Sequence, residues 1–397
     1  MSAPLPLEEA QARLLALAPV MPGEQVPVEA SLGRYLREDI RAARTRPAAD
    51  LSAMDGYALG PGAGPWALVG ESRAGAPYRA VLAANQCVRI STGAMVPAGA
   101  DRVLLQEDAL AEAGIISATD IPPPGRHIRA RGFDFHAGDV LLSRGTCMTA
   151  GRIALALAAG HGQVLAARQL RVAVMDTGDE LSPDPANCLP HQVPASNGPM
   201  LAAMLTPLRF EVLRLGPVGD DREALAAALA AADPADILIT SGGASVGDHD
   251  LIKPALSAWG AETAFWKVAI KPGKPLLVAT RQKAGGSQVI LGLPGNPVSC
   301  FVTAFLFALP LVRAALGASD PLPRAVTMPA GEALPAVGPR REFLRAISDG
   351  GAVRLAGSQD SSALSALATA DCLIDRPAGA PAVGAGEPVR VFSLQNG

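Results

Sequence analysis

Lysines, prolines, glycines and serines crowd residues 236–299, which read DILITSGGASVGDHD, then FWKVAIKPGKP, then VILGLPGNPVS. Each time an apolar, strand-like run stops in a loop of small and charged residues. In an open α/β sheet, ligands bind beyond the carboxyl ends of the strands, where such loops gather. In the first loop Gly242 and Gly243 permit a tight turn with close backbone approach, and Ser241 and Ser245 add hydroxyl donors. Asp248 and Asp250 stand where the next helix begins, so Asp248 reads equally as a helix N-cap. In the second loop Lys267, Lys271 and Lys274 surround a Pro-Gly turn. They bind an anion if they converge and are solvated surface charges if they do not. In the third, Pro294 and Pro297 bracket Gly295 and Asn296 in a rigid turn that runs into a helix N-terminus. Such a terminus is an anion site in its own right, or the turn is simply structural. None of the three is a Walker A loop or a GxGxxG fingerprint. Amides and lysines for anions, with carboxylates for a divalent cation, suit a phosphorylated ligand held with a metal.

More carboxylates lie outside that stretch. Asp176, Asp179 and Glu180 fall within VMDTGDEL after another strand-like run. Without cysteine or paired histidine partners they suit Mg²⁺ rather than zinc, or else they cap a helix. Asp220 and Asp221 open a further helix, where Asp220 reads as the N-cap. Three pieces of a β-rich region also hold polar residues: Asp55 in SAMDGYA, Thr92 in RISTGAMVPAGAD and Asp134 in RARGFDFHAGD. For Asp55-Gly56 the local alternative is a hairpin turn. The five histidines lie singly, which supports neither a histidine metal site nor a Ser-His-Asp triad.

The elements that would hold these residues follow from the apolar pattern. Residues 5–18 form an amphipathic helix opened by Pro6 and closed before Pro19. Residues 25–144 hold short β-compatible pieces between Gly and Pro turns. After an Ala/Leu helix at 150–160, strands and helices alternate from residue 170 to 316, which implies a parallel sheet covered on both faces. Beyond a linker at 318–323, RREFLRAIS, GAVRLAGS, DCLIDRP and PVRVFSL read as strands of a small β domain. The expected fold class is therefore multidomain α/β plus β. Its parts are 1–45 with 140–168, 46–139, 169–317 and 318–397.

Composition narrows the function classes. Thirty-four Lys and Arg against 37 Asp and Glu leave a net charge of -3, so there is no general attraction to nucleic acid or an acidic membrane. Any anion must be bound by a local cluster. Residues 298–312 are apolar but short of the roughly 20 residues that span a bilayer, so a buried helix is expected there. The N-terminus shows no basic segment followed by an apolar one, and so no signal peptide is read. Five cysteines without a CxxC pair point to reduced thiols and a cytoplasmic protein.

Taken in order, SAMDGYA, ISTGAMVPAGAD, IRARGFDFHAGD, TGDEL, SGGASVGDHD, FWKVAIKPGKP and GLPGNPVS resemble the molybdopterin molybdenumtransferases. That is the MoeA family, which includes the E domain of gephyrin. RREFLRA and GSQDSSALSALATADCLI extend the resemblance to the C-terminus. It implies a β-rich N-terminal domain, a parallel-sheet α/β molybdopterin-binding domain, a C-terminal β-barrel, and a homodimer with its site shared between subunits. It also implies Mg²⁺-dependent insertion of molybdate into adenylylated molybdopterin, with loss of AMP. Asp55, Thr92, Asp134, Glu180, Asp220 and Asp250 match functional polar positions of the family. Under it, Glu180 with Asp220 or Asp250 holds Mg²⁺, and Lys267, Lys271 and Lys274 hold molybdate or phosphate oxygens. The turn from Pro294 to Pro297 shapes the oxyanion pocket, and Asp55 comes from the partner's β-rich domain. The molybdopterin adenylyltransferase and apo-molybdoenzymes are the implied partners. Departures from the family pattern are Leu51, Ala244 and Phe133, the last removing a carboxylate beside Asp134. The adenylyltransferase itself shares only the α/β domain, and a scaffold role like that of the gephyrin E domain finds no extra domain or disordered linker here.

Overall fold

The computed structural model describes residues 4–208, 210–242, 251–284 and 286–394. Among these, the chain builds three six-stranded sheets and several two-stranded ribbons.

The first sheet orders its strands Arg102–Leu105, Gly56–Leu59, Gln86–Ile90, Trp66–Ser72, Ile115–Ser117 and Leu110–Glu112. Side chains alternate across a strand, and the alternation is read directly in its two cores. Ala58, Val88 and Val103 pack on one face, whereas Leu59, Cys87 and Leu104 pack with Trp66 on the other. Nearby, Gly23–Pro27 pairs with Gln163–Ala167, and Ile40–Arg41 with Val140–Leu142, so segments on both sides of this sheet meet.

The second sheet runs Glu211–Val218, Arg171–Thr177, Ile237–Ser241, Gly286–Leu293, Leu277–Lys283 and Glu262–Trp266. Val172, Val174, Ile237 and Ile239 face one core, while Ala173, Met175 and Leu238 face Leu225, Leu229, Ile252 and Leu256 of the covering helices. The expected parallel sheet carries one reversed strand. The first four strands are parallel, but Leu277–Lys283 runs antiparallel to both of its neighbours. No helix separates it from Gly286–Leu293, and a connection of two residues can only reverse the chain.

One continuous helical run covers Pro297–Ala315, long and apolar enough to cross a bilayer, with a mean hydropathy of 1.9. It is 83% buried within the protein and is a core helix. Pro310 has no N–H to give Leu306 O, and the run widens into a π-helical turn at Ala304–Ala308 just before it. The orphaned carbonyl is supplied from elsewhere. Gln11 on the N-terminal helix Leu7–Ala16 donates its amide to Leu306 O at 2.9 Å, while Leu7, Ala10 and Leu14 join the same core.

The third sheet runs Ile270–Lys271, Arg341–Ser348, Cys372–Arg376, Pro388–Ser393 and Ala325–Pro329. Val353–Leu355 pairs with Arg341–Ser348, and Ala330 bridges back to Val353. Those links close the strands into a small barrel around Ala346, Ile374, Val389 and Val391. Ile270–Lys271 lies in the α/β part of the chain yet pairs with Arg341 and Glu342 of the barrel.

Candidate functional site

Three strand-end loops of the α/β sheet meet at its carboxyl edge. Gly242 has φ +98° and lies so close to Thr177 that a methyl group there would meet Thr177 O at 2.5 Å. Only glycine fits both conditions. Gly295 packs against the Cα of Gly242, so the first and third loops touch. Asn197 at the start of Asn197–Leu205 binds them together. Its Nδ2 donates to Ser241 Oγ and to Gly295 O, each at 2.7 Å. Pro297 opens the core helix behind this turn, as its fixed φ suits. Gly243, Ser245, Asp248 and Asp250 lie outside the described residues.

The lysine loop faces the barrel across a cleft of about 550 Å³. Gly273 turns the loop with φ +103°, where a side chain would strike Thr303 Cγ2. Lys271 and Lys274 line the cleft on one side, and Arg340, Ser361 and Arg376 line it on the other. Lys271 pairs with Glu342 at 2.9 Å, and Asn296 Nδ2 donates to Ser361 Oγ at 3.1 Å. Arg376 is only 2% exposed, donates through Nη2 to Pro381 O, and has no partner for Nη1. Its neighbour in the barrel, Arg341, is taken up by a two-point pair with Asp375, whereas among the described residues Arg340 reaches only Ile270 O at 3.4 Å. A buried donor without a partner costs about 1–3 kcal/mol, more for a charged group. This cleft therefore favours an oxyanion.

Lys267 is not in the cleft lining. Its φ of +80° is costly for a residue with a side chain, by about 1–3 kcal/mol. Bonds from Leu5 N to Lys267 O and from Lys267 N to Leu276 O hold it there. Lys253 and Lys267 both approach the Trp266 ring, at 3.2 and 4.1 Å from its centre. Lys253 was not among the sequence candidates.

The carboxylates divide. Asp176 is buried at a strand end, accepts from Gly198 N at 3.0 Å, and leaves Oδ1 without a partner. Burial pushes its pKa up, against the opposing effects of the Gly198 bond and of Arg214. It belongs to the packing of Asn197–Leu205 on the sheet rather than to an exposed cluster. Asp221, not Asp220, caps Arg222–Ala231, accepting from Glu223 N at 3.0 Å and Ala224 N at 2.9 Å. Asp220 is thereby released from the role the spacing suggested. Its N–H donates to Asp179 Oδ1 at 2.9 Å, and its own pKa is raised by burial and then by the charges of Asp179 and Glu180. An all-carboxylate set under mutual repulsion fits a hard divalent cation such as Mg²⁺. Among the described residues, no three such side chains are placed to hold a metal. Asp250 is not one of them.

In the first sheet, Asp55 and Thr92 act together. Asp55 Oδ1 accepts from Thr92 N at 2.6 Å and from Thr92 Oγ1 at 2.9 Å, and these bonds hold the exposed carboxyl below its usual range. The hairpin alternative for Asp55-Gly56 fails, because Leu51–Ser52 pairs with Ile128–Arg129 while Gly56–Leu59 pairs elsewhere. Asp134 is exposed beside Arg46 at 3.5 Å, next to a Phe133 that is 75% exposed. Among the described residues, no hydrogen bond or ion pair joins Asp55, Thr92 or Asp134 to the lysine loop or to Glu180.

The chain matches three family models in succession. They are the MoeA N-terminal region (domain I and II) at 5–160, a probable molybdopterin binding domain at 173–314, and the MoeA C-terminal region (domain IV) at 327–394. It is 37% identical over 315 residues to a molybdopterin molybdenumtransferase of Haemophilus influenzae, covering 78% of this chain and 77% of that one. It belongs to the molybdopterin molybdenumtransferase family. A Staphylococcus aureus molybdopterin molybdenumtransferase is 31% identical across 99% of this chain and 96% of its own. A crystal structure of the molybdopterin biosynthesis MoeA protein from Pyrococcus horikoshii superposes with a TM-score of 0.79 at 29% identity, covering 98% and 99% of the two chains. The MoeA architecture of a β-rich N-terminal part, an α/β molybdopterin-binding part and a β-rich C-terminal part is thus established for this transferase. Sequence spacing assigned no role to Asn197, Arg340, Ser361 or Arg376. The one available signal was Arg376 at the end of the strand Cys372–Arg376, directly after Asp375.

Proposed function

We propose that this chain completes the molybdenum cofactor by inserting molybdenum from molybdate into adenylylated molybdopterin, with release of AMP. The cleft between lysine loop and barrel carries the reading. Lys271, Lys274, Arg340 and buried Arg376 line one space whose carboxylates are Glu342 and Asp360, which leaves it net positive. Such donors hold a dianion as a set. Molybdate sits there, with Ser361 and Asn296 fixing the wall nearest the turn at Pro294–Pro297. The pterin and its pyrophosphate lie along the strand-end loops of Ser241, Gly242, Gly243, Ser245 and Gly295, whose glycines admit close approach. Glu180 and Asp220, with Asp250, would hold Mg²⁺ there, and the ion would offset charge on the departing AMP.

The reading also assigns residues 46–139 to a β-rich domain, 169–317 to the molybdopterin-binding domain and 318–397 to the barrel, with 1–45 and 140–168 connecting them. The chain works as a homodimer in which Asp55, Thr92 and Asp134 of a second copy complete the site. Supply by the adenylyltransferase, delivery to apo-molybdoenzymes and a cytoplasmic setting complete the picture, the last consistent with five free thiols. The test is AMP release from adenylylated molybdopterin by purified protein with molybdate and Mg²⁺. Arg376→Met and Lys271→Ala should raise the molybdate KM about tenfold or more, one charge-assisted hydrogen bond being of that size. Molybdate-independent kinetics in wild-type protein would overturn the reading.

A further inference from the structure

The geometry points to a second anion site, for a phosphate monoester or inorganic phosphate, remote from the lysine loop. A cleft of about 600 Å³ opens where the residues before Ala150–Ala158, the end of the core helix and the linker to the barrel meet. Arg152, Arg313 and Arg324 line it, together with the hydroxyls of Tyr35, Thr146 and Ser319.

The charges do not balance within it. Arg324 is engaged by Asp320 at 2.8 Å, which uses the only carboxylate of the lining. Half-buried Arg152 donates to Cys147 O at 2.5 Å, and half-buried Arg313 reaches Pro321 O at 3.4 Å. Neither has a carboxylate within ion-pair distance among the described residues. Each guanidinium carries five N–H donors, so most are left for another partner. Burial pushes the pKa values of the Cys147 thiol and the Tyr35 hydroxyl up, and Arg313 opposes both shifts while Arg152 opposes the first, so the two cations bear on one wall. Behind the cleft, Arg37 lies half-buried against Gly317 with no side-chain hydrogen bond or ion pair among the described residues. Burial and the neighbouring Arg144 charge both disfavour its charged form. Unpaired cations gathered in a partly buried place are unfavourable unless a counter-charge completes them.

The occupant follows from the donors. Two planar forks and several hydroxyls match a tetrahedral dianion, and the space exceeds what the phosphate group alone fills. Arg313 also stands in the last turn of its helix, where a cation suits the helix dipole. That role needs no ligand, so the test must separate the two.

Titrating inorganic phosphate, and separately AMP, into the full chain at constant ionic strength tests the site by calorimetry. Apart from any uptake by the lysine-loop cleft, wild type should bind phosphate at a site that persists with unchanged affinity in Lys271→Ala. Arg152→Met and Arg313→Met should each weaken it about tenfold, and the pair about a hundredfold. If the methionine pair fails to fold, Arg152→Lys and Arg313→Lys keep charge and length but lose the fork, and should still weaken binding severalfold. AMP binding that follows the same variants makes the site a monoester site; binding of phosphate alone makes it an orthophosphate site. No phosphate binding by wild type, or equal affinity in the variants, overturns the proposal. So does a variant pair that dissociates a dimer while binding phosphate as before, because the arginines would then face carboxylates of a second copy.

Discussion

Asn197→Ala probes how firmly the anion-facing turn must be held. The asparagine gives two hydrogen bonds of 2.7 Å, one to Ser241 Oγ and one to Gly295 O. A neutral hydrogen bond contributes about 1 kcal/mol net. Gly295 is exposed and its carbonyl can turn to water, whereas Ser241 is buried, with Cys300 Sγ at 3.9 Å and the Asp176 carboxyl as its other neighbours. The loss is partly offset because Asn197 Oδ1, itself buried and unpartnered, disappears with the side chain. The net expected is about 1–2 kcal/mol, localised where Ser241 and Gly295 meet. If the bound state bears that cost, kcat/KM for AMP release falls about 5- to 30-fold. The assay is a molybdate and substrate titration of AMP release, beside urea unfolding of the same preparation. Asn197→Asp should be worse than Ala, since a carboxylate would set negative charge against Gly295 O, whereas alanine merely lacks the donor. A folded Asn197→Ala protein whose kcat/KM stays within about twofold of wild type would refute the reasoning, because the turn would then hold itself without the clamp.

The remaining predictions concern charge, packing and assembly. Asp176 has a folded pKa above its ordinary 3.8, so the folded state keeps a proton that the unfolded state loses, and stability falls as pH rises through that window. Asp176→Asn should match wild type near pH 3 and exceed it increasingly above about pH 4, as read from urea midpoints across pH. Gln11→Leu leaves Leu306 O without the donor that Pro310 cannot supply, and should cost about 1–3 kcal/mol in thermal or urea unfolding with little effect on molybdate KM. Mixing inactive Asp55→Ala and Glu180→Ala proteins should restore about a quarter of wild-type AMP release. Half the random dimers are mixed, and each of those holds one intact site of two. Complete inactivity of the mixture, with exchange verified, would place both residues in a site within one subunit.

Much of the α/β region was legible because its strands end abruptly in Gly and Pro, and these interruptions mark where the loops gather. The reversal between Lys283 and Gly286 was not, since an apolar strand reads the same in either direction and the hairpin signal there is brief. Choosing between Asp220 and Asp221 as the cap needed one residue of precision, which spacing does not supply at a helix start. The Asp55-Gly56 pair suggested a hairpin from local chemistry, but the strands on either side find partners far along the chain. Arg340, Ser361 and Arg376 escaped for the same reason, since they reach the lysine loop through a fold that joins residues roughly 70 to 100 positions apart. Lys267 illustrates the reverse: three lysines stood together in sequence, yet only Lys271 and Lys274 line the barrel cleft.

Ile270–Lys271 has mechanical meaning beyond its two residues. It follows an α/β strand in sequence but belongs by hydrogen bonding to the barrel, through its register with Arg341 and Glu342 and through Arg341 N to Ala269 O at 3.0 Å. The two walls of the cleft are therefore stitched at one edge by hydrogen bonds, whereas the chain itself joins them through the linker at 318–323. A barrel that swings must either drag Lys271 along or tear the stitch. Lys271 therefore takes its place in the cleft from the barrel strand it pairs with rather than from the α/β sheet it follows.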